Sequence, residues 1–249
     1  MPVPFPPDTD DPRAFGVDIS LYNGDVDFEK MAQYNNPPVE YIMIRSGQGR
    51  VGNYHDLDYK FYYNWEHAAE YFPRMAYHVI YPSEPISAQI ANVDRIFKVI
   101  DYDFGEGPLW IDFELHHNME PEPLTSACYQ FYCALQDEFG IRVGIYSGKL
   151  FLDGHCVPQS WWADADWWLA HYWTSQEHPG PPDKPSIIPL ENVIFHQTTS
   201  WIDGDLLGAP DNLRIDANRY IGENLYEYLE YEEPEYTYAE WLPVPRLEP

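Results

Sequence analysis

Apolar positions gather in eight short runs separated by polar, periodic stretches. Their β-branched and aromatic content predicts strands at Ala14–Ser20, Glu40–Gly47, Arg74–Tyr81, Pro108–Leu115, Arg142–Ser147, Trp167–Trp173, Val193–Thr199 and Arg214–Tyr220. Several runs are continuously apolar rather than alternating, the pattern of a strand covered on both faces. Between the first five lie helical segments: a short one at Phe28–Tyr34, and longer ones at Asp58–Tyr71, Ile86–Tyr102 and Leu124–Phe139. The longer segments carry apolar residues at i, i+3 and i+4 spacing. Strand, helix, parallel strand is the order of a βα-barrel or a doubly wound sheet.

The rhythm then changes. The prolines of His178-Pro-Gly-Pro-Pro-Asp-Lys-Pro185, and the Asp203-Gly-Asp and Gly208-Ala-Pro turns, leave no room for a three-turn helix after the sixth or seventh run. Loop-joined strands favour antiparallel pairing, because parallel pairing needs a longer crossover. The predicted fold is therefore α/β, a TIM-like barrel of five βα units closed by three largely antiparallel strands. Residues 1–13 form a Pro/Asp-rich arm, 14–221 the barrel and 222–249 an acidic Tyr/Glu/Pro-rich tail. Within that tail Glu223–Glu233 suits a short amphipathic helix with Leu225, Tyr228 and Leu229 on one face, stopped before Pro234.

With 249 residues, 45% of them hydrophobic, the chain can bury a sizeable core. Fourteen basic side chains stand against 41 acidic ones, a formal net charge of −27. Nucleic acid and anionic membranes are thereby disfavoured as partners, since both need a basic footprint. No run approaches the roughly 18 apolar residues of a membrane span. The opening Met-Pro-Val-Pro-Phe-Pro-Pro lacks the charged flank and apolar run of a secretory signal. Cys128, Cys133 and Cys156 have neither disulfide-framework nor zinc spacing and are read as buried free thiols. No cofactor or metal site is expected.

Chemistry concentrates in Pro108-Leu-Trp-Ile-Asp-Phe-Glu-Leu115. Residues i and i+2 of a strand share a face with Cα atoms about 6.5–7 Å apart, so Asp112 and Glu114 point together into the mouth of the barrel. Active sites of such barrels lie at that C-terminal end of the strands. Asp18 ends the first strand and Asp216 lies in the eighth, its neighbour in a closed barrel. Four carboxyls in one pocket cannot all ionise cheaply, so at least one should keep its proton near neutrality. A neutral carboxylic acid beside an ionised one is what glycosidic cleavage requires. Glu114, reaching farthest out, is the candidate general acid, and Asp112 the ionised partner. Tyr77, Tyr81, Tyr146, Tyr172 and Trp173 lie near strand ends, where sugar rings stack or find a hydroxyl. Trp161–Trp168 is read as core and rim packing, and His116 and His117 as loop residues at the rim.

The collinear order Gly16-Val-Asp-Ile-Ser, Ile44-Arg-Ser-Gly, Ala76-Tyr-His, Leu109-Trp-Ile-Asp-Phe-Glu, Gly144-Ile-Tyr-Ser, Leu169-Ala-His-Tyr, His196-Gln-Thr-Thr-Ser and Ile215-Asp-Ala-Asn-Arg-Tyr resembles glycoside hydrolase family 25, the Chalaropsis-type lysozymes or N-acetylmuramidases of bacteria, fungi and phage. The resemblance spans roughly residues 14–221. It implies a five-βα, three-β barrel that hydrolyses the β-1,4 bond between N-acetylmuramic acid and N-acetylglucosamine in peptidoglycan. It casts Glu114 as general acid and Asp112 as assistant to an intermediate formed by the sugar's own acetamido group. It adds Asp18 and Asp216 as further active-site acids, and Tyr77, Tyr146 and Gln197 as substrate contacts. Val79 and Phe195-His-Gln-Thr depart from the family pattern and bear on subsite affinity. The partner so implied is the glycan strand of the bacterial wall, reached through a holin-type pore or on a virion if the chain is phage-encoded. A protein or virion partner for the acidic tail stays open. So do two other functions, a non-catalytic glycan-binding or virion-structural role on the same barrel and a chitinase-like glycosidase.

Overall fold

The computed structural model describes residues 7–50, 56–172, 180–210 and 212–231. Eight strands close into one barrel in chain order: β1 (Phe15–Ile19), β2 (Val39–Gln48), β3 (Arg74–Val79), β4 (Leu109–Asp112), β5 (Val143–Gly148), β6 (Asp166–Ala170), β7 (Val193–Asp203) and β8 (Arg214–Tyr220). The helices are α1 (Phe28–Gln33), α2 (Phe61–Ala68), α3 (Ile86–Lys98), α4 (Pro121–Phe139), α5 (Lys149–His155) and α6 (Leu225–Leu229). The predicted barrel is present, and each of its first five strands is followed by a helix.

One expectation is corrected. β6 and β7 run parallel to each other and to β1–β5, and β8 alone is antiparallel, to both β7 and β1. β6 ends at Ala170 and β7 begins at Val193, so 22 residues separate the two strands. A parallel connection needs a dozen or more residues but not a helix, so proline-rich chain serves as well. α4 begins three residues before its predicted start, because Pro121 and Pro123 occupy the first turn, where the missing N–H groups have no intrahelical partner to lose. It stops at Gly140, whose φ of 65° terminates the helix in the left-handed conformation.

Alternation along the strands separates two cores. Phe15, Val17, Ile42, Ile44, Leu109, Ile111, Val143, Ile145, Trp167 and Leu169 face outward under the helices. Tyr41, Met43, Met75, Trp110, Trp168 and Phe195 fill the barrel itself. Such an interior of large rings needs gaps opposite them. Gly16 and Gly144 provide these, since a Cβ there would lie 2.3 Å from the rings of Tyr41 and Trp110 respectively. The lower end is closed by α6, whose Leu225 and Leu229 join the interior cluster. Tyr228 gives its hydroxyl to Asp166 and stacks on Arg142. The face predicted for this helix is the buried one. The chain before β1 is held at the same end, where buried Arg219 donates to the carbonyls of Asp8, Asp11 and Arg13. Cys128 and Cys156 are buried free thiols as expected, while Cys133 is only partly covered.

Candidate active site

The upper end of the barrel is polar. A cavity of about 210 Å³ is lined there by Asp18, Ser20, Tyr22, Arg45, Tyr77, Asp112, Glu114, Tyr146, Trp168, Tyr172, Gln197 and Asp216. All four acids singled out in the sequence thus meet in one pocket, with Tyr77, Tyr146, Tyr172 and Gln197. Each arrives by strand alternation. Asp112 is two residues beyond Trp110 on the inner face of β4, and Glu114 continues that direction past the strand end. Asp18 of β1 lies directly opposite Asp216 of the antiparallel β8, so their side chains share the inner face.

A hydrogen-bond network fixes the floor. Gln197 Nε2 donates to Asp18 Oδ2 at 2.9 Å and to Asp216 Oδ2 at 3.3 Å. Its Oε1 accepts from Tyr146 (2.7 Å) and Tyr172 (2.9 Å). Asn218 Nδ2 donates to Asp18 Oδ2 at 2.8 Å, while Asn218 Oδ1 accepts from Trp168 Nε1 at 2.8 Å. Asp18 therefore holds two amide donors, and the amides are oriented by groups that donate in turn. Asp112 differs. It is 7% exposed, and its Oδ1 has no hydrogen-bond partner among the described residues.

Burial dominates the titration of all four acids. Asp18 is pushed up to about 6, raised by desolvation and by Glu114 and lowered by its two amide donors. Asp216 rises to about 8 through desolvation and the charges of Asp18 and Glu114. Asp112 is pushed well above the carboxylate range by burial and by Glu114, against the opposing pull of Arg45. Glu114, solvent-exposed beyond the strand end, is raised by partial desolvation. The expectation of a proton kept in the pocket fits these directions. Burial makes an ionised Asp112 costly, the more so while Glu114 is also charged. Each proton taken by one acid relieves its neighbours, so the group titrates as a set.

The remaining candidates distribute around this pocket. Trp173 lies outside the described residues. Tyr81 bonds Gln48 and packs edge-on to His117 at the rim rather than lining the cavity. His116 stacks on His155, and His117 bonds Ser83, both at the rim. Trp162 and Trp167 are core, but Trp168 also faces the cavity. Val79 pairs with Asp112 in the ladder, and Phe195 belongs to the barrel interior. Sequence reasoning missed Tyr22, Arg45 and Asn218. Arg45 carries the signal that exposed Asp112, a charge inside an apolar strand. A second hollow of about 500 Å³ shares Glu114, Tyr146 and Tyr172 with the first and runs out between Leu150, Phe151 and His171. Among the described residues no group of three or more His, Cys, Asp or Glu side chains is disposed to hold a metal ion. No helix among them is long and apolar enough to cross a membrane.

Solved structures share this architecture. A bacterial lysozyme from Streptomyces coelicolor superposes with a TM-score of 0.69 at 18% identity, covering 88% of this chain and 97% of that one. A spore cortex lytic enzyme from Clostridium perfringens gives 0.68 at 22% identity, covering 84% and 68%. The catalytic domain of an endolysin from bacteriophage P40 of Listeria monocytogenes gives 0.58 at 18%, covering 88% and 96%. No curated protein matches in sequence. The model of the glycosyl hydrolases family 25 matches residues 17–202, a span that holds Asp18, Arg45, Asp112, Glu114 and Gln197 and stops short of Asp216. The chain belongs to glycosyl hydrolases family 25 and is a glycoside hydrolase.

Proposed function

We propose that the chain cleaves the β-1,4 bond between N-acetylmuramic acid and N-acetylglucosamine of peptidoglycan, acting at the bacterial cell wall, with Glu114 as general acid and Asp112 assisting a substrate-derived intermediate. The observation that carries the reading is the convergence of four carboxyls with Tyr77, Tyr146 and Gln197 in one cavity at the barrel mouth. Glu114 gives its proton to the glycosidic oxygen as the bond from C1 to that oxygen breaks. The carbonyl oxygen of the acetamido group attacks C1 from the opposite side. Asp112 assists by accepting the acetamido N–H as that nitrogen becomes acidic. Water then attacks C1, surrenders its proton to the Glu114 carboxylate, and configuration is retained without a protein nucleophile.

The proton distribution supports this division of labour. Arg45 opposes the rise of Asp112, whereas desolvation acts on Glu114 with no cation against it. Burial still opposes the charge of Asp112, but placing the proton on Glu114 removes one of the charges that raise it, so protonation of Glu114 and ionisation of Asp112 favour each other. Asp216, at about 8, stays neutral at pH 7 and limits the negative charge of the pocket. The test is digestion of purified peptidoglycan followed by mass spectrometry of the released muropeptides. New reducing ends on muramic acid are the expected result. Reducing ends on glucosamine, or release from chitin alone, would refute the assignment.

A further inference from the structure

Among the described side chains lining the acid cavity, Arg45 is the one cation. Its surroundings hold it in a single orientation. Nε donates to Asp58 Oδ2 at 2.8 Å, and Asp58 is itself buried. The Asp58 carboxylate is anchored in turn, since Oδ2 also accepts from Leu21 N at 2.9 Å and Oδ1 from Lys60 N at 3.0 Å. The guanidinium carbon lies 4.8 Å from the centre of the Tyr22 ring, and that ring is 72% exposed at the mouth. The Nη1 and Nη2 groups donate to no described residue. A fork of donors is thus fixed at its Nε edge and left open at the other, an arrangement that matches a carboxylate or carbonyl oxygen.

The two hollows assign a direction to the glycan. Glu114 is shared by both, and in the proposed reaction it sits beside the leaving oxygen. The hollow that runs out past Leu150 and Phe151 therefore takes the leaving sugar. The side of the three aspartates, bounded by Arg45 and Tyr22, takes the sugar whose C1 reacts. In muramidase cleavage that sugar is muramic acid, which differs from glucosamine by the lactyl ether on O3. The lactyl carboxyl is a carboxylate when free and an amide carbonyl when it bears a stem peptide, an acceptor in either case. A neutral glucosamine offers nothing equivalent. In a pocket of four carboxyls an incoming carboxylate is repelled unless a cation faces it.

We propose that Arg45, oriented by Asp58 and flanked by Tyr22, recognises the lactyl group of the muramic acid residue and so selects muramic acid over glucosamine on the reacting side of the bond. The inference rests on the muramidase reading. The experiment uses the full chain on purified peptidoglycan, with N-acetylmuramic acid and N-acetylglucosamine as competing monosaccharides. Wild type is expected to be inhibited by N-acetylmuramic acid at concentrations about 10-fold or more below those of N-acetylglucosamine, as a charge-assisted hydrogen bond implies. Arg45→Gln should abolish that preference and raise KM by about 10-fold, more than it lowers kcat, while Arg45→Lys keeps part of both. Tyr22→Ala, at an exposed position, should weaken the preference without disturbing the fold. The inference is overturned if wild type digests peptidoglycan yet shows no preference, or if Arg45→Gln retains it. A wild type that digests no peptidoglycan overturns the muramidase reading itself, a separate outcome.

Discussion

Asp18 and Asp216 face each other across the β1–β8 ladder, and the charge of Asp18 is one reason that Asp216 titrates near 8. A carboxyl whose folded pKa lies above its unfolded value of 3.8 favours the folded state fully only below that value. Its contribution is lost as pH rises through about 8. Asp216→Asn removes that loss. The variant should match wild type near pH 4 and exceed it progressively up to pH 8, by about 2–8 °C in melting temperature at the upper end, what ~1–2 kcal/mol means for a chain of this size. Thermal melts of both proteins from pH 4 to 9 measure it, and a constant offset would remove the titration argument. Glu114→Gln belongs to the same scale. It should lower kcat by about 10²–10⁴-fold, the share typical of a general acid, with the melting temperature little changed because the side chain is exposed. Reducing-end release against calorimetry separates the two effects. These acids were legible because a charge inside an apolar strand is costly without a purpose. Asn218 was not, since a neutral amide carries no such signal and its role depends on which carboxylate lies beside it.

At the scale of elements, α6 shows how a weak local pattern becomes decisive once placed. Five residues cannot hold a helix in water alone. Here Asn224 caps the N-terminus by accepting from Glu227 N, and Leu225 and Leu229 close the lower end of the barrel. Leu229→Ala should destabilise the protein by about 2–4 kcal/mol through the cavity left beneath Met75 and Gly107. Denaturant unfolding would measure that loss. Activity per folded molecule should hold, because the acids sit at the opposite end. An equal loss of activity in folded protein would mean that the two ends are coupled. The direction of β7 belongs here too. Proline content excluded a helix between β6 and β7, but strand direction follows from chain length and barrel closure, which local composition does not report.

Over the whole molecule, the net charge of −27 sets how the enzyme meets its substrate. Bacterial walls carrying anionic polymers repel such a protein over a Debye length of about 10 Å at 0.1 M salt, shrinking to about 3 Å at 1 M. Digestion of such walls should therefore accelerate several-fold between about 0.01 and 0.2 M salt, while the same walls stripped of anionic polymer show a much smaller response. A turbidity assay across that series checks it. Equal salt dependence on both substrates would assign the effect to the pocket instead. The charge of the pocket has its own counterweight in Arg45, whose partner Asp58 lies beyond β2 in the chain.

By itself the order of apolar runs, helical spacings and in-strand acids determined the barrel, its five βα units and the four carboxyls of the site. Each of these follows from periodicity or from the cost of a charge among apolar neighbours, and both are local properties. Only the tertiary structure decided that β7 runs parallel, that α6 closes the barrel, that Asp112 Oδ1 lacks a donor among the described residues, and that Arg45 lines the acid cavity. These depend on which residues from distant parts of the chain become neighbours when the barrel closes. Burial and the pairing of charges, and through them the distribution of protons, exist only after that closure.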